Sequence, residues 1–514
     1  MKNISRRQFL KGGAAAAAAG ILGSIMPAAM AEEATFEREV DVLVIGGGGT
    51  GVAAACEAAE AGAEVLVVEK LGLMGGSTLM SGGMIHAWGT DEQAEYTGTT
   101  DDNADLMFNY YKGCGGGFID DDVCYDMCVG SHDDFLWCKE CGINYVTVFG
   151  VQNIPGLTEY IRPRIHLPGD ETSGTAGIPG LGHFHVNPIW ARAQAAGATC
   201  ETNTAAKKLI TNENGAVIGA VVENKDGEVR IKARKGVVLA TSGYDYNVEM
   251  AKAMSKSQYI ILTEEGNISG SCVGNTGDGI RMGMEVGAGL AGIGGAINVS
   301  LNGSIGRDPT SNVGGCTTGI SVNKYGQRFV DEWCQYGYYM NAVFNQDDHI
   351  CWTITDQAAV DREGGTAMGF TSEDLSADVE AGSVVKADTI EELAKAIGIS
   401  AEGLATTLAT WNADCAKGVD TAFGKTECLN PIEVGPFYAA KTASYNLGTL
   451  GGLKINTDAQ VCRFDGTPIE HLYAGGLCTG GWAGQFYPGS GTAILSTVHW
   501  GRKAGRNAAA NENI

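Results

Sequence analysis

The chain has 514 residues and a formal net charge of −25. That length predicts two or more domains, and that charge argues against nucleic acid or an anionic membrane surface as a partner. Glycine occurs 76 times without a Gly-X-Y period, which excludes collagen and predicts many tight turns and close backbone approaches.

The first residues read as a targeting segment. Ser5-Arg6-Arg7-Gln8-Phe9-Leu10-Lys11 is a twin-arginine export signal, an apolar alanine-rich stretch runs from Gly12 to Ile25, and Ala29-Met30-Ala31 is a small-x-small cleavage site. The apolar run is too short and too weakly hydrophobic for a stable membrane span. Residues 1–31 are therefore expected to be removed. The mature chain would begin near Glu32, have no transmembrane span, and be exported already folded with its cofactor. It would work in the periplasm or at the outer face of the cytoplasmic membrane.

Val40–Ile45 is a buried strand by its branched apolar run. It feeds Gly46-Gly47-Gly48-Gly49-Thr50-Gly51, then an alanine-rich helix to Ala61, then a second strand from Gly62 to Glu69. In this order the glycines carry chemistry: Gly46 allows the tight turn, Gly48 lets the backbone approach a pyrophosphate, and Gly51 lets helix and strand pack closely. The helix N-terminus presents N–H groups and a positive dipole end to the anion. Glu69, about twenty residues on, is placed to bind a ribose hydroxyl. This is an adenine-dinucleotide fingerprint, and by itself it does not separate NAD from FAD.

Fifteen cysteines in an exported chain ordinarily predict disulfides. The odd count, the size of the chain and positions inside apolar runs predict buried free thiols instead, and with them a reducing, anaerobic setting. Cys124, Cys128, Cys138 and Cys141, with Cys114 nearby, are candidates for a [4Fe-4S] cluster. On one continuous helix Cys124 and Cys138 would stand about 21 Å apart. The cluster therefore requires the chain to turn back, with Gly130-Ser131 as the stop and Asp134 in a new cap. There is no Cys-x-x-Cys-His for c-type haem. His183 and His185 alternate, which suits a strand as well as a ligand pair; lacking a partner at metal spacing, they are assigned no metal.

Further motifs follow: Gly75-Gly76-Ser77-Thr78, Ser81-Gly82-Gly83-Met84, a strand at Gly236–Gly243 ending in small residues, Asn275-Thr-Gly-Asp278, and His471-Leu-Tyr-Ala-Gly-Gly476. Leu393–Trp411 reads as helical, with Glu391 and Glu392 near its start and Asn412 near its end. With these motifs in this order, the chain resembles the flavoprotein subunits of fumarate reductase and succinate dehydrogenase and their soluble relatives. The resemblance implies an α/β fold: a discontinuous Rossmann-like FAD-binding domain, residues 37–295 and 435–514, with an inserted α+β capping domain, residues 296–434. It implies FAD held by Gly46, Gly48, Gly49, Thr50, Gly51, Glu69, Lys70, Gly76, Ser77, Thr78, Gly83, Met84, Ala206, Gly243, Asp278, Gly476, Leu477, Thr492, Ala493 and Ile494. Ser77 lies near the position of a histidine that holds the flavin covalently in membrane-bound fumarate reductases, so the flavin here is expected to be non-covalent.

The departures from the fumarate type point to the substrate. Gly326-Gln-Arg-Phe-Val-Asp-Glu332 resembles the family's Gly-x-Arg-Phe-x-Asn-Glu, but the proton-donating arginine expected four residues on is Tyr336. A substrate-binding histidine is replaced by Gly448, and a carboxylate-binding arginine by Tyr487. A small dianion would be poorly paired in such a site. Arg-Phe-Val-x-Glu followed by Tyr, with a later Tyr487-Pro-Gly-Ser-Gly491, is similar to the 3-ketosteroid dehydrogenases. That similarity implies Tyr336 as proton donor or acceptor, with the Tyr487 hydroxyl and the Gly491 N–H as an oxyanion hole for an enolate, while hydride moves between flavin N5 and the β-carbon.

Arg162, Arg164 and His166 resemble a basic loop near the fumarate-type active site. Two readings stay open for them, binding of a polar substrate group, with Arg164 the catalytic candidate, or a solvated surface. The expected activity is reduction of a C=C bond conjugated to a carbonyl, in a steroid-like enone or an unsaturated lactone. The alternatives are a small unsaturated carboxylate as substrate, or a ketosteroid-type dehydrogenase working oxidatively. Electrons for reduction would come from a separate protein such as a membrane-anchored multihaem cytochrome.

Overall fold

The computed structural model describes residues 35–170, 180–255, 268–301, 319–361 and 372–514; the export signal and its cleavage site lie outside them. The fold is mixed α/β. Its main sheet has eight strands, six of them in the order Gln460–Cys462, Pro468–Ala474, Gly227–Leu239, Arg38–Ile45, Val65–Val68 and Thr199–Glu201. Arg38–Ile45 is central, parallel to both Val65–Val68 and Gly227–Leu239. Val42, Leu43 and Val44 have no exposed surface, as expected of a parallel strand covered on both faces. Helices Gly49–Glu60 and Thr492–Ala510 pack together on this sheet, which brings the two ends of the described chain side by side.

A long antiparallel ribbon, Leu290–Leu301 against Ala443–Lys454, leads away from that sheet. Beyond it lies a second sheet of Ile320–Val322, Trp352–Asp356, Phe437–Lys441 and Val384–Ala387, in that order. It has its own core, which includes Ile354, Leu393, Leu404, Leu408 and Trp411. Phe437–Lys441 pairs with Trp352–Asp356 and with Val384–Ala387, so the strand just past the expected boundary at residue 434 hydrogen-bonds into this second sheet.

Three local expectations need correction. The helix expected over Leu393–Trp411 is two helices, Ile390–Ile397 and Ala401–Lys417. Gly398 ends the first in a left-handed conformation, and the Ser400 hydroxyl caps the second by accepting from Gly403 N–H. His183 and His185 open a helix, His183–Ala195, rather than alternating on a strand.

The cysteine segment is the third. Asp121–Glu140 is one uninterrupted helix with Cys141 as its C-cap. Gly130 and Ser131 do not stop it: Ser131 is buried, and its hydroxyl donates to the Cys128 carbonyl within the helix. Cys124 and Cys138 are thus kept about 21 Å apart along the axis. The four cysteines do not converge, and among the described residues no group of His, Cys, Asp or Glu is arranged to hold a metal. The described cysteines are all free thiols, most of them buried.

That helix is tied to Thr492–Ala510 by a buried charge cluster. His499 Nδ1 lies 2.7 Å from Asp134 Oδ2 and its Nε2 lies 2.9 Å from Asp126 Oδ2. Arg502 donates to Asp134 at 2.6 Å and to Glu57 at 2.7 Å. Burial alone would lower the His499 pKa, but the carboxylates of Asp134 and Asp126 outweigh it, and the net shift is upward. A raised folded-state pKa stabilises fully below the unfolded value of about 6.5, and this contribution is lost as pH rises through the folded value. The thermal midpoint of the FAD-loaded protein should therefore fall more steeply than that of His499→Asn as pH rises above the unfolded value. Parallel curves for the two proteins would show that the cluster does not titrate with folding.

Candidate active site

One continuous cavity runs from the glycine-rich turn to the tyrosines, and its lining includes Gly46, Gly48, Gly49, Thr50, Glu69, Lys70, Gly76, Ser77, Thr78, Asp278, Tyr336, Tyr487, Gly491 and Ala493. Gly83, Met84, Ala206, Leu477 and Ile494 also line it. Gly51, Gly243, Gly476 and Thr492 do not line it. A Cβ on Gly51 would fall 1.9 Å from the Gly46 carbonyl oxygen, so that glycine serves helix–strand packing. Gly48 differs: a Cβ there would meet nothing nearer than the Gly75 carbonyl oxygen at 3.8 Å. Gly48 is the N-cap of helix Gly49–Glu60, makes no side-chain cap, and has no acidic residue after it in the first turn. Gly49 N–H donates to Thr78 Oγ1 at 3.2 Å; a helix N-terminus without a charged cap that faces a cavity is suited to a pyrophosphate, and the cradle fits an adenine dinucleotide.

Glu69 has a structural role beside its expected one. One carboxylate oxygen accepts from Gly47 N–H and the other from Leu71 N–H, both at 2.8 Å. It therefore holds the glycine turn in shape while lining the cavity, and each oxygen keeps acceptor capacity for a ribose hydroxyl. Lys70 Nζ is ion-paired with Asp278 at 2.7 Å and also donates to Thr276. Ser77 Oγ accepts from Cys272 N–H at 3.1 Å and from the Asn275 amide at 3.0 Å. Behind these, Asp245 is buried and accepts from Ser269, Ser271 and Asn275. Burial pushes its pKa up against those hydrogen bonds. Asp245, Ser271 and Asn275 were not singled out as site residues in the sequence, although Asn275 opens the motif that contains Asp278.

Tyr336 and Tyr487 face each other, with ring centroids 6.3 Å apart. Tyr336 is the first residue of helix Tyr336–Phe344, capped by Gln335, whose side-chain oxygen accepts from Tyr338 N–H. The same Gln335 donates its amide N–H to the Tyr487 carbonyl at 3.1 Å. A Cβ on Gly337 would lie 2.7 Å from that carbonyl oxygen. A buried glutamine and a glycine thus draw the two chain segments together, and nothing in the sequence pattern marked either one.

Tyr487 oxygen accepts from Ala493 N–H at 2.7 Å, at the N-terminus of the last helix. Tyr336 oxygen lies 3.4 Å from Ser490 Oγ. Burial pushes both phenols above their ordinary range, and for Tyr336 the neighbouring Tyr487 adds to it. Both are neutral at physiological pH, with O–H groups that can donate.

Gly491 has φ +103°, and a Cβ there would meet Ile85 C at 2.7 Å and His86 N at 2.8 Å. The position excludes a side chain through backbone packing, not only through access from the cavity.

Arg164 belongs elsewhere. It does not line the cavity; it is 1 % exposed and forms a forked pair with Asp102, Nε to Oδ2 at 2.8 Å and Nη2 to Oδ1 at 2.6 Å. Arg162 pairs with Asp101 at 2.8 Å, and the buried His166 hydrogen-bonds Thr90 and the Arg164 carbonyl. A guanidinium matched to a buried carboxylate has no fork left for a substrate.

The model of the FAD binding domain family matches residues 41–494, and that of the twin-arginine translocation signal matches residues 3–23. Among curated proteins the chain is 31% identical to digoxin reductase of Eggerthella lenta, covering 99% of this chain and 98% of that one. It is 32% identical to urocanate reductase of the same species, over 92% of this chain and 75% of the other. Among solved structures it is similar to the 3-ketosteroid-Δ4-(5α)-dehydrogenase of Rhodococcus jostii, with TM-score 0.78, 28% identity, and coverage of 93% and 98%.

Proposed function

Because this chain belongs to the FAD binding domain family and is an FAD-dependent oxidoreductase carrying a twin-arginine export signal, we propose that it reduces a C=C bond conjugated to a carbonyl in a neutral, fairly apolar substrate. A steroid-like enone or an unsaturated lactone has that chemistry. One observation carries this reading. Among the described residues that line the cavity the sole cation is Lys70, which is already paired with Asp278. A carboxylate substrate would enter such a cavity without a counter-charge, at a cost of several kcal/mol. A ketone oxygen needs only hydrogen-bond donors.

FAD, when bound, supplies the hydride. Tyr487 O–H and Gly491 N–H donate to the carbonyl oxygen, where negative charge grows as the β-carbon is reduced; one well-placed donor of this kind contributes about 3–4 kcal/mol. Tyr336, neutral and buried, gives the proton to the α-carbon, so the alkene gains one hydride and one proton. We further propose that residues 296–434, together with the strand Phe437–Lys441 that completes their sheet, act as a cap over a discontinuous FAD-binding domain, that FAD is held non-covalently, and that the protein works in the periplasm or at the outer face of the membrane. Its electrons would come from a separate donor such as a membrane-anchored multihaem cytochrome. The likeness to a ketosteroid dehydrogenase supports a second reading in which the same groups work oxidatively, with Tyr336 accepting the proton.

The test is anaerobic reoxidation of the dithionite-reduced, FAD-loaded protein by 4-androstene-3,17-dione, by an unsaturated lactone, and by acrylate and fumarate. The neutral carbonyl compounds should be about a hundredfold faster or more, the scale of an unpaired buried carboxylate. Reoxidation by the acids alone would overturn the proposal.

A further inference from the structure

A single buried side chain joins the segments that carry the two tyrosines. Gln335 has no exposed surface. Its Oε1 accepts from Tyr338 N–H at 3.0 Å, capping the helix that Tyr336 begins, and its Nε2 donates to the Tyr487 carbonyl at 3.1 Å. The two ends of this amide cannot be exchanged, because a backbone N–H only donates and a carbonyl only accepts. The Gln335 backbone N–H is fixed as well, donating to the Asn153 carbonyl at 3.1 Å. Capping alone is the usual task of Ser, Thr, Asp or Asn. Glutamine adds a donor that the cap does not use, and here that donor is aimed at the chain of the second tyrosine.

The receiving strip, Tyr487-Pro-Gly-Ser-Gly491, is held at two further carbonyls. Buried Tyr110 donates its hydroxyl to the Pro488 carbonyl at 2.5 Å, and the Gly491 carbonyl accepts from His86 N–H at 3.3 Å. Two of the three residues between the Tyr487 phenol and the Gly491 N–H are proline and glycine, with no side-chain hydrogen bonds of their own. The place of both donors therefore depends on what grips the carbonyls.

We propose that Gln335 and Tyr110 are positioning residues for the reaction. Gln335 sets the distance from the proton donor Tyr336 to the donor pair of Tyr487 and Gly491, and Tyr110 holds the strip one residue further on. Neither lines the cavity, so neither touches the substrate. The carbon that takes the proton and the oxygen that takes the hydrogen bonds belong to one small rigid group, so the spacing of the protein donors is fixed by the substrate. A displacement of about 1 Å costs about a hundredfold in rate. The proposal rests on the roles given above to Tyr336 and Tyr487, and its test separates the two.

The measurement is stopped-flow reoxidation of the dithionite-reduced, FAD-loaded protein by 4-androstene-3,17-dione or the unsaturated lactone, whichever is faster with the wild type. Gln335→Glu keeps the acceptor for Tyr338 N–H. Ionised, its carboxyl can only accept and repels the Tyr487 carbonyl; protonated, it can donate again. At about pH 9 its limiting rate should be about a hundredfold below the wild type's, and the deficit should shrink as pH falls to about 5, the range in which a buried glutamate titrates. The phenols of Tyr336, Tyr338 and Tyr487 are pushed up by burial, so the recovery belongs to the carboxyl. Gln335→Met, with no polar end, should be as slow at every pH. Tyr110→Phe should be about tenfold slow, the worth of one hydrogen bond lost from a buried carbonyl. In all three FAD should stay bound and half-saturation should stay within about threefold, because the loss falls on the transition state.

A wild type reoxidised only by acrylate or fumarate would remove the tyrosine roles and this proposal with them. If the wild type does turn over the neutral compound, wild-type rates in Gln335→Met or Tyr110→Phe overturn the role of that residue alone. A Gln335→Glu deficit that is equal at pH 5 and pH 9, or one matched by an equal rise in half-saturation or by loss of FAD, would mean that Gln335 supplies packing and not a donor, and the proposal fails.

Discussion

Tyr336→Phe should abolish substrate-dependent reoxidation of the reduced flavin, with a fall of about 10²–10⁴-fold, the usual contribution of a positioned general acid. FAD should remain bound. The substitution removes one oxygen from a ring held against Tyr487 by Gln335 and Gly337, and among the described residues the hydroxyl's only hydrogen-bond contact is the 3.4 Å approach of Ser490. Little packing changes, so the loss would be chemical. Burial keeps this phenol protonated well above its ordinary range, which predicts a rate that stays flat through neutral pH with no loss from ionisation of Tyr336. Stopped-flow reoxidation with the best oxidant from the substrate screen is the measurement. A variant with full activity would remove Tyr336 as the proton donor.

Glu332→Gln should destabilise the second sheet and its helices by about 3–5 kcal/mol, the cost of breaking a buried ion cluster from one side. Glu332 has no exposed surface. It accepts both arms of Arg328 at 2.8 Å, faces Lys425 Nζ at 3.4 Å, and accepts Ser321 N–H at 3.0 Å. Arg328 also forks onto Asp420 at 2.9 Å and stacks 4.5 Å over Trp411. Burial would raise the Glu332 pKa, but Lys425 and Arg328 outweigh it and hold the carboxylate ionised. Without that charge Lys425, itself fully buried, faces an uncharged amide. Because Tyr336 begins a helix four residues later, activity should fall with stability. Hydrogen exchange should report faster opening over residues 319–361 and 401–441, with the main sheet unaffected. Arg328→Lys keeps the charge but loses the fork, and should show a smaller loss in the same segments. Unchanged exchange in Glu332→Gln would mean the cluster is not what holds this region.

The motif Gly326–Glu332 has a structural role that its sequence does not reveal. Its arginine and glutamate are far from any reacting atom in role: they build the platform on which Tyr336 stands. Arg164 shows the same limit. A basic residue in a motif reads as a ligand for an acidic substrate, but its partner, Asp102, lies 62 residues away in sequence, and no local pattern reveals that pairing. The cysteines show it again. Their spacing is compatible with a cluster only if the helix breaks, and Gly130 is a weak breaker inside twenty residues of otherwise continuous helix. Propensity differences of about 1 kcal/mol at one glycine are overridden by the packing of the rest.

The sequence by itself determined the dinucleotide turn and the FAD family. It also determined the export signal and the two tyrosines that stand where cations would be expected. These are local: a strand, a glycine turn and a helix fix their geometry over about thirty residues, and a missing arginine is missing whatever the fold. Only the tertiary structure decided which charges are free. It paired Lys70 with Asp278 and Arg164 with Asp102, kept Cys124 away from Cys138, and set Gln335 and Gly337 against Tyr487. Whether a buried charge or phenol is available for chemistry depends on neighbours brought from distant parts of the chain, because in a desolvated interior each polar group is defined by the partner it meets.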